Sequence, residues 1–209
     1  LLSRRQRQMC IRDSIWSLDE AQQIASACQN GVGSVEETSK RSRQLSPLLF
    51  DLTSLQREAN SRFGFSAKTT LSIAQALYEK HKVLTYPRTD ARALPEDYLP
   101  TVRETLEALK GLEEYALFAD TVLTSSWIRP DKRIFDNKKI SDHFAIIPTG
   151  QLPKTLNEVE QKIFDLVVRR FLAVFYPAAE YDVTVRMTTV ANHQFKTEGK
   201  VLVEPGWLA

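Results

Sequence analysis

The sequence predicts an α+β chain, a mainly helical lobe flanked by β-strand segments, and three observations carry the prediction. Between about residues 47 and 178 apolar residues recur at helical spacing behind capping residues. After Pro177 the period changes to two, as it does in strands. Ahead of the helical region, residues 32–45 are polar and extended in character, a strand leading to Pro47.

Taken in order, residues 1–14 have neither helical nor strand periodicity and are expected to be a non-native tail, the translation of an adapter scar. Residues 15–46 form a connector, with a helix over 18–30, then Gly31 and Gly33, then the polar strand. Residues 47–178 are the helical lobe. Thr53-Ser54-Leu55-Gln56 fits a capping box, in which hydroxyl and carboxamide satisfy free backbone N–H groups, and opens a helix that Gly64 closes. Ser66 caps the next helix, over 67–81, with Leu71, Ile73, Ala74, Leu77 and Tyr78 on its apolar face. Pro95 suits the first turn of a helix reaching about Lys110, and Glu96 and Asp97 fall where the helix dipole favours negative charge. A short helix covers 114–123, and the aperiodic stretch 125–140 is expected to be a long surface loop.

Thr155-Leu156-Asn157-Glu158 fits a second capping box and opens the strongest helix, with Ile163, Leu166, Val167, Phe171, Val174 and Phe175 as core residues before Pro177. Residues 179–209 are strands: the alternations around Tyr181–Val185 and Val201–Val203 pair, and His193 and Gln194 lie near their turn. Pro205-Gly206 turns into Trp207-Leu208-Ala209, expected to begin another strand that is cut off. With no initiator Met, the chain is expected to be a fragment of a longer one.

Composition excludes several classes. With 43% hydrophobic residues, 26% charged, 7 Gly and 2 Cys, the chain is neither collagen-like, low-complexity nor a disulfide scaffold. No apolar run approaches the roughly 18 to 20 residues of a membrane span, and a cytoplasmic location is expected. Cys10, Cys28, His81, His143 and His193 lack the spacing of a zinc site, so neither structural zinc nor a disulfide is expected. The first 14 residues contribute +3 to the net charge of +2; beyond them stand 24 basic and 25 acidic residues. Charge is nevertheless segregated. Residues 40–68 carry Lys40, Arg41, Arg43, Arg57, Arg62 and Lys68 against Asp51 and Glu58, whereas residues 96–114 carry six acids against Arg103 and Lys110. Such basic runs line a phosphate-attracting groove when folding gathers them, or form solvated helix faces when it does not.

The chemistry concentrates in Leu84-Thr85-Tyr86-Pro87-Arg88-Thr89-Asp90. A phenol with a pKa near 10 is a poor nucleophile at neutral pH and needs a nearby cation to stabilise phenolate and anionic transition state. Arg88 supplies a permanently charged planar fork for phosphate oxygens, and Asp90 can orient it or handle a proton. On residue types alone, Tyr-Pro-Arg is also a surface turn.

Three ordered motifs extend this loop. They are Leu52-Thr53-Ser54-Leu55-Gln56-Arg57-Glu58-Ala59-Asn60 with Phe63-Gly64-Phe65-Ser66-Ala67-Lys68-Thr69-Thr70-Leu71; Ile73-Ala74-Gln75-Ala76-Leu77-Tyr78-Glu79 running into Thr85–Asp90; and His143-Phe144-Ala145-Ile146-Ile147-Pro148-Thr149. Together they resemble type IA DNA topoisomerases, most closely the bacterial topoisomerase III branch, from about Val32 to Ala209. The resemblance implies that Tyr86 attacks one DNA strand, holds its 5′-phosphate as a phosphotyrosine ester while another strand passes, and religates without ATP. It gives Arg88 the scissile phosphate, His143 a place beside tyrosine and DNA, and Asp90 a part in proton handling or geometry. Ala91 departs from the commoner Thr-Asp-Ser and removes a hydroxyl.

Family enzymes carry a Toprim domain whose acidic cluster holds Mg²⁺, and no Asp-x-Asp-x-Asp pattern exists here. The resemblance therefore implies half of an active site: a catalytic-tyrosine gate lobe, adjoining strands of the arch that hinges it, Mg²⁺ held by the absent Toprim domain, and single-stranded DNA as partner. Such a fragment alone is expected to be inactive. The bacterial location implied is nucleoid- or plasmid-associated.

Lys68, Gln75, Thr89, Arg92 and Trp127 are the candidate DNA contacts. Lys68 and Gln75 stand equally as solvated helix residues, and His143 without the resemblance as a structural histidine. Trp127 with Arg129, Lys132 and Arg133 makes either a stacking site for bases or a packed loop anchor. His81 and His193 are expected on the surface. The alternative function is a non-catalytic single-stranded DNA-binding helical module in which Tyr86 never reacts. A tyrosine recombinase fits poorly, since it needs several separated arginines around a tyrosine near the chain's end.

Overall fold

The computed structural model describes residues 6–8 and 15–209, which divide into two compact units. One comprises the described residues up to Gln44 with Ala178–Gly206, the other Leu45–Pro177 with Trp207–Ala209.

The first unit is a four-stranded antiparallel sheet of order β1-β4-β3-β2, formed by β1 (Gln6–Gln8), β2 (Ser34–Gln44), β3 (Ala179–Val190) and β4 (His193–Glu204), with helix α1 (Leu18–Cys28). β2 runs beside β3 from Ser34 opposite Thr189 to Gln44 opposite Ala179. Every β2 residue except Ser42 is exposed, so the backbone ladder and cross-strand ion pairs hold it rather than apolar burial. Arg41 reaches Asp182 at 2.9 Å, Arg43 reaches Glu180 at 2.8 Å and Arg186 reaches Glu37 at 2.6 Å. β3 and β4 form a hairpin whose two-residue loop, Ala191-Asn192, has φ of 49° and 64°, the positive pair of a type I′ turn. Gly33 is required where β2 enters the sheet, since a Cβ there would stand 2.9 Å from the Thr189 carbonyl oxygen.

Gln6–Gln8 pairs with Thr197–Phe195 of β4, although no strand period is legible there. Addition to a sheet edge uses backbone groups and needs no side-chain pattern. The rest of the expected tail, residues 1–5 and 9–14, lies outside the described residues. The strand expected at Trp207 is a 3₁₀ turn, Gly206–Leu208, whose Trp207 N–H donates to the Pro177 carbonyl at 3.1 Å.

The second unit contains α2 (Leu52–Phe63), α3 (Ala67–Glu79), α4 (Leu99–Leu109), α5 (Glu113–Thr124) and α6 (Glu158–Ala173). Both capping boxes differ from expectation by two residues. At α2 the cap is Asp51, whose carboxylate accepts from Ser54 N–H at 2.6 Å while Ser54 Oγ accepts from Asp51 N–H at 3.1 Å. At α6 it is Asn157, reciprocated by Glu160 at 3.0 Å in each direction. Asp and Asn are stronger N-caps than the threonines Thr53 and Thr155, and each takes the third backbone N–H of its helix. Gly64 ends α2 at φ 70°, and Ser66 caps α3 by accepting from Thr69 N–H at 3.1 Å.

α6 packs against α2, α3 and α5. Its Ile163, Phe164, Val167, Val168 and Phe171 meet Leu55, Leu77, Leu106 and Tyr115 in a core where every one of them is at most 2% exposed. The buried Tyr115 hydroxyl donates to Asp165 at 3.0 Å, and burial together with that carboxylate pushes its pKa well above the ordinary phenol value. The expected surface loop 125–140 is instead anchored: Ile128, Ile134 and Phe135 are buried, and Arg133 donates to the Ser46 carbonyl. Its side chains satisfy no period because they enter the core from irregular backbone.

Candidate active site

Tyr86 lies on a loop stitched from both sides. Helix α3 ends at Glu79, and Lys82, in the left-handed region at φ 60°, turns the chain into the loop. From there Leu84 bridges Pro148, Thr85 N–H donates to the Ile147 carbonyl at 3.0 Å, and Thr149 N–H to that of Val83 at 3.0 Å. The Thr85 hydroxyl donates to the Ala145 carbonyl at 2.9 Å and accepts from Ile147 N–H at 2.9 Å. Beyond the tyrosine, Leu52 N–H donates to the Thr89 carbonyl at 3.0 Å, and Ala145 N–H to that of Ala93 at 3.0 Å. With Pro87 buried, almost every group flanking Tyr86 and Arg88 is fixed, and those two side chains project from a rigid frame.

Tyr86 is half-buried between two rings. His143 lies 4.2 Å away, centroid to centroid, and Tyr78 of α3 meets it edge-on at 5.4 Å. Lys82 places its ammonium 5.5 Å from the Tyr78 ring centre. Beside His143, Tyr98 packs against Phe144 at 4.8 Å, and burial raises the Tyr98 pKa above its ordinary value. Arg88 and Asp90 are exposed. One end of the Gln75 carboxamide lies 3.2 Å from both Arg88 Nε and Nη2; since both are obligate donors, that end is assigned as the amide oxygen, which then accepts from each. Asp90 Oδ1 accepts from the Ser141 hydroxyl at 3.3 Å. Tyr86, Arg88, Asp90 and His143, distant as 57 residues in sequence at their extremes, thus share one face.

The five candidate DNA contacts separate. Gln75 adjoins the site through Arg88. Lys68 is exposed in the first turn of α3, two turns from Gln75 on the same face. Thr89 holds the loop: it is buried, and its hydroxyl donates to the His143 carbonyl at 2.9 Å and accepts from Ala91 N–H at 3.0 Å, so its hydrogen is already engaged. Arg92 is half-buried and gives its Nε–H to the Leu49 carbonyl at 3.1 Å. Trp127 packs edge-on at 4.9 Å against Tyr176 in the partly buried shell of the core.

His81 is not on the surface. Its Nε2 lies 3.2 Å from Glu160 Oε1, with side chains 12% and 9% exposed, tying the end of α3 to the cap of α6. The Asn157 backbone N–H and then His81 hold the Glu160 carboxyl below its usual pKa. Sequence reasoning also missed Thr85 and Tyr78, although Tyr78 stands three residues after Gln75 on one helix face. Among the described residues no three His, Cys, Asp or Glu side chains cluster to hold a metal, and no helix is long and apolar enough to cross a membrane.

A family model described as DNA topoisomerase matches residues 3–209. The chain belongs to the type IA DNA topoisomerase family. Within that family it is topoisomerase III-like, being 49% identical over 175 residues to DNA topoisomerase 3 of Bacillus cereus, a match covering 83% of this chain and 24% of that protein. To DNA topoisomerase 3 of Bacillus subtilis it is 42% identical over 180 residues, covering 85% and 24%. The chain thus spans about a quarter of the length of the curated topoisomerases it matches. Its fold is similar to that of full-length topoisomerase I from Thermotoga maritima, with a TM-score of 0.63 and 21% identity over 99% of this chain and 36% of that one.

Proposed function

We propose that this chain carries the nucleophilic tyrosine of a type IA DNA topoisomerase III-like enzyme. In this reading the Tyr86 phenol oxygen attacks a backbone phosphorus of single-stranded DNA; the O–P bond forms as the P–O3′ bond breaks, and the phenol proton is balanced by one taken up at the 3′ oxygen. The products are a 5′-phosphotyrosine ester and a free 3′-hydroxyl. Attack by that hydroxyl reverses the step after strand passage, and because a phosphoester replaces a phosphoester no nucleotide hydrolysis is required.

The observation that carries the proposal is the juxtaposition of Tyr86 with His143 at 4.2 Å in the loop that presents Arg88. Arg88 would bind the phosphate as a bidentate fork and stabilise charge developing on its oxygens. His143 would hold the phenol in place and meet the DNA, and Asp90, steadied by Ser141, would set the loop's geometry or take part in proton transfer. Mg²⁺ would be held by residues of a Toprim domain outside this chain, with the other domains of a longer polypeptide closing the site. The setting would be a bacterial nucleoid or plasmid.

The test mixes the chain with a Toprim-containing portion of the Bacillus cereus enzyme, Mg²⁺ and an end-labelled single-stranded oligonucleotide. A denaturation-resistant protein–DNA adduct is expected, absent in Tyr86→Phe, and Arg88→Ala should lower its yield far more than it lowers stability. Salt-sensitive DNA binding without adduct, from halves that co-elute, would replace the proposal with a non-catalytic single-strand-binding module.

A further inference from the structure

We propose that Gln75 is a positioning residue for Arg88, holding one edge of the guanidinium so that the other is offered to phosphate. The inference rests on the catalytic reading of Tyr86 and Arg88 and goes beyond it by assigning a residue that acts through Arg88.

A guanidinium has two edges that grip an oxyanion with paired N–H groups, one formed by Nε and Nη2, the other by Nη1 and Nη2. The end of the Gln75 carboxamide that faces Arg88 is 3.2 Å from Nε and from Nη2; only an oxygen can accept from two donors there, so with the amide assigned that way Oε1 occupies the first edge. The second edge, with both Nη1 hydrogens, is turned away from Gln75. An exposed arginine otherwise samples many rotamers, and fixing it costs rotamer entropy at the moment phosphate binds. An uncharged acceptor meets part of that cost beforehand without neutralising the cation, which a carboxylate would do.

The same helix face contributes a second restraint. Tyr78, three residues after Gln75 on α3, sets its ring against Tyr86 at 5.4 Å. One rigid element therefore references both nucleophile and phosphate fork, and their separation is governed by α3 as much as by the loop.

Two measurements decide the inference. On the 209-residue chain, hydrogen exchange at Arg88 Nε, assigned by its loss in Arg88→Lys, should be slowed in the wild type, should accelerate about tenfold or more in Gln75→Leu, and should stay slow in Gln75→Glu, which keeps an acceptor oxygen at the same reach. In the reassembled mixture, Gln75→Leu should slow adduct formation about 10- to 100-fold, the size of losing a hydrogen bond to a charged group. Gln75→Leu combined with Arg88→Ala should be no slower than Arg88→Ala alone. Unchanged Nε exchange in Gln75→Leu, or losses that add in the double variant, would overturn the inference. A wild-type mixture that makes no adduct would count against the catalytic reading instead, and Nε exchange would then decide the clamp.

Discussion

The Thr89 hydroxyl donates to the backbone carbonyl of His143 at 2.9 Å, so one part-buried bond joins the loop that carries Tyr86 to the segment that carries its ring partner, 54 residues away. The same oxygen accepts from Ala91 N–H. Thr89→Val keeps the shape and leaves the buried Ala91 N–H and the part-buried His143 carbonyl without this partner. A loss of about 2 kcal/mol is expected in urea unfolding, with Thr89→Ser close to wild type.

Acid should weaken the helical unit through Glu160. Its pKa is held down in the folded state by the Asn157 N–H and His81. A carboxyl with a depressed folded pKa contributes stability above its unfolded value, near 4.5, and that contribution disappears as pH falls through the lower folded value. Urea midpoints should therefore drop as pH falls below about 4.5. Glu160→Gln, which still offers an oxygen to the Asn157 N–H, should flatten that part of the profile.

The β3–β4 turn contains correctable strain. Ala191 sits at φ 49° and Asn192 at φ 64°, in a region that costs an L-alanine about 1 kcal/mol. Replacing Ala191-Asn192 with Asn-Gly, the pair that such turns favour, should stabilise the sheet unit by about 1 kcal/mol, read from its denaturant midpoint. An unchanged midpoint would mean that the strain is not released.

Helices and hairpin are legible in the sequence because their periods and punctuation are local: Gly64 and Ser66 act where they stand, and the strand alternation around Tyr181 and Val201 meets in register, Tyr181 opposite Leu202. The two capping boxes slipped because Asp51 and Asn157 are stronger caps than the threonines near them, a competition that spacing does not decide. In the site, Tyr86 and Arg88 are visible from their chemistry and their motif. The place of Thr89 in holding the loop is not legible, because its partners, the His143 carbonyl and the Ala91 N–H, are backbone groups that have no sequence signature. His81 looked like a surface residue for a related reason, since Glu160 lies 79 positions further on. Gln75 was visible as polar and ambiguous in role until a fold brought it to Arg88.

The stitching around the tyrosine also bears on when during synthesis that residue becomes organised. Thr85 takes its partners from Ala145 and Ile147, Leu84 from Pro148, and Thr89 from His143. A nascent chain that has emerged only as far as Asp90 displays Tyr86 on a segment with nothing to pair. The loop gains its shape once residues 143–149 have emerged, so a growing chain exposes Tyr86 before the frame that orients it exists.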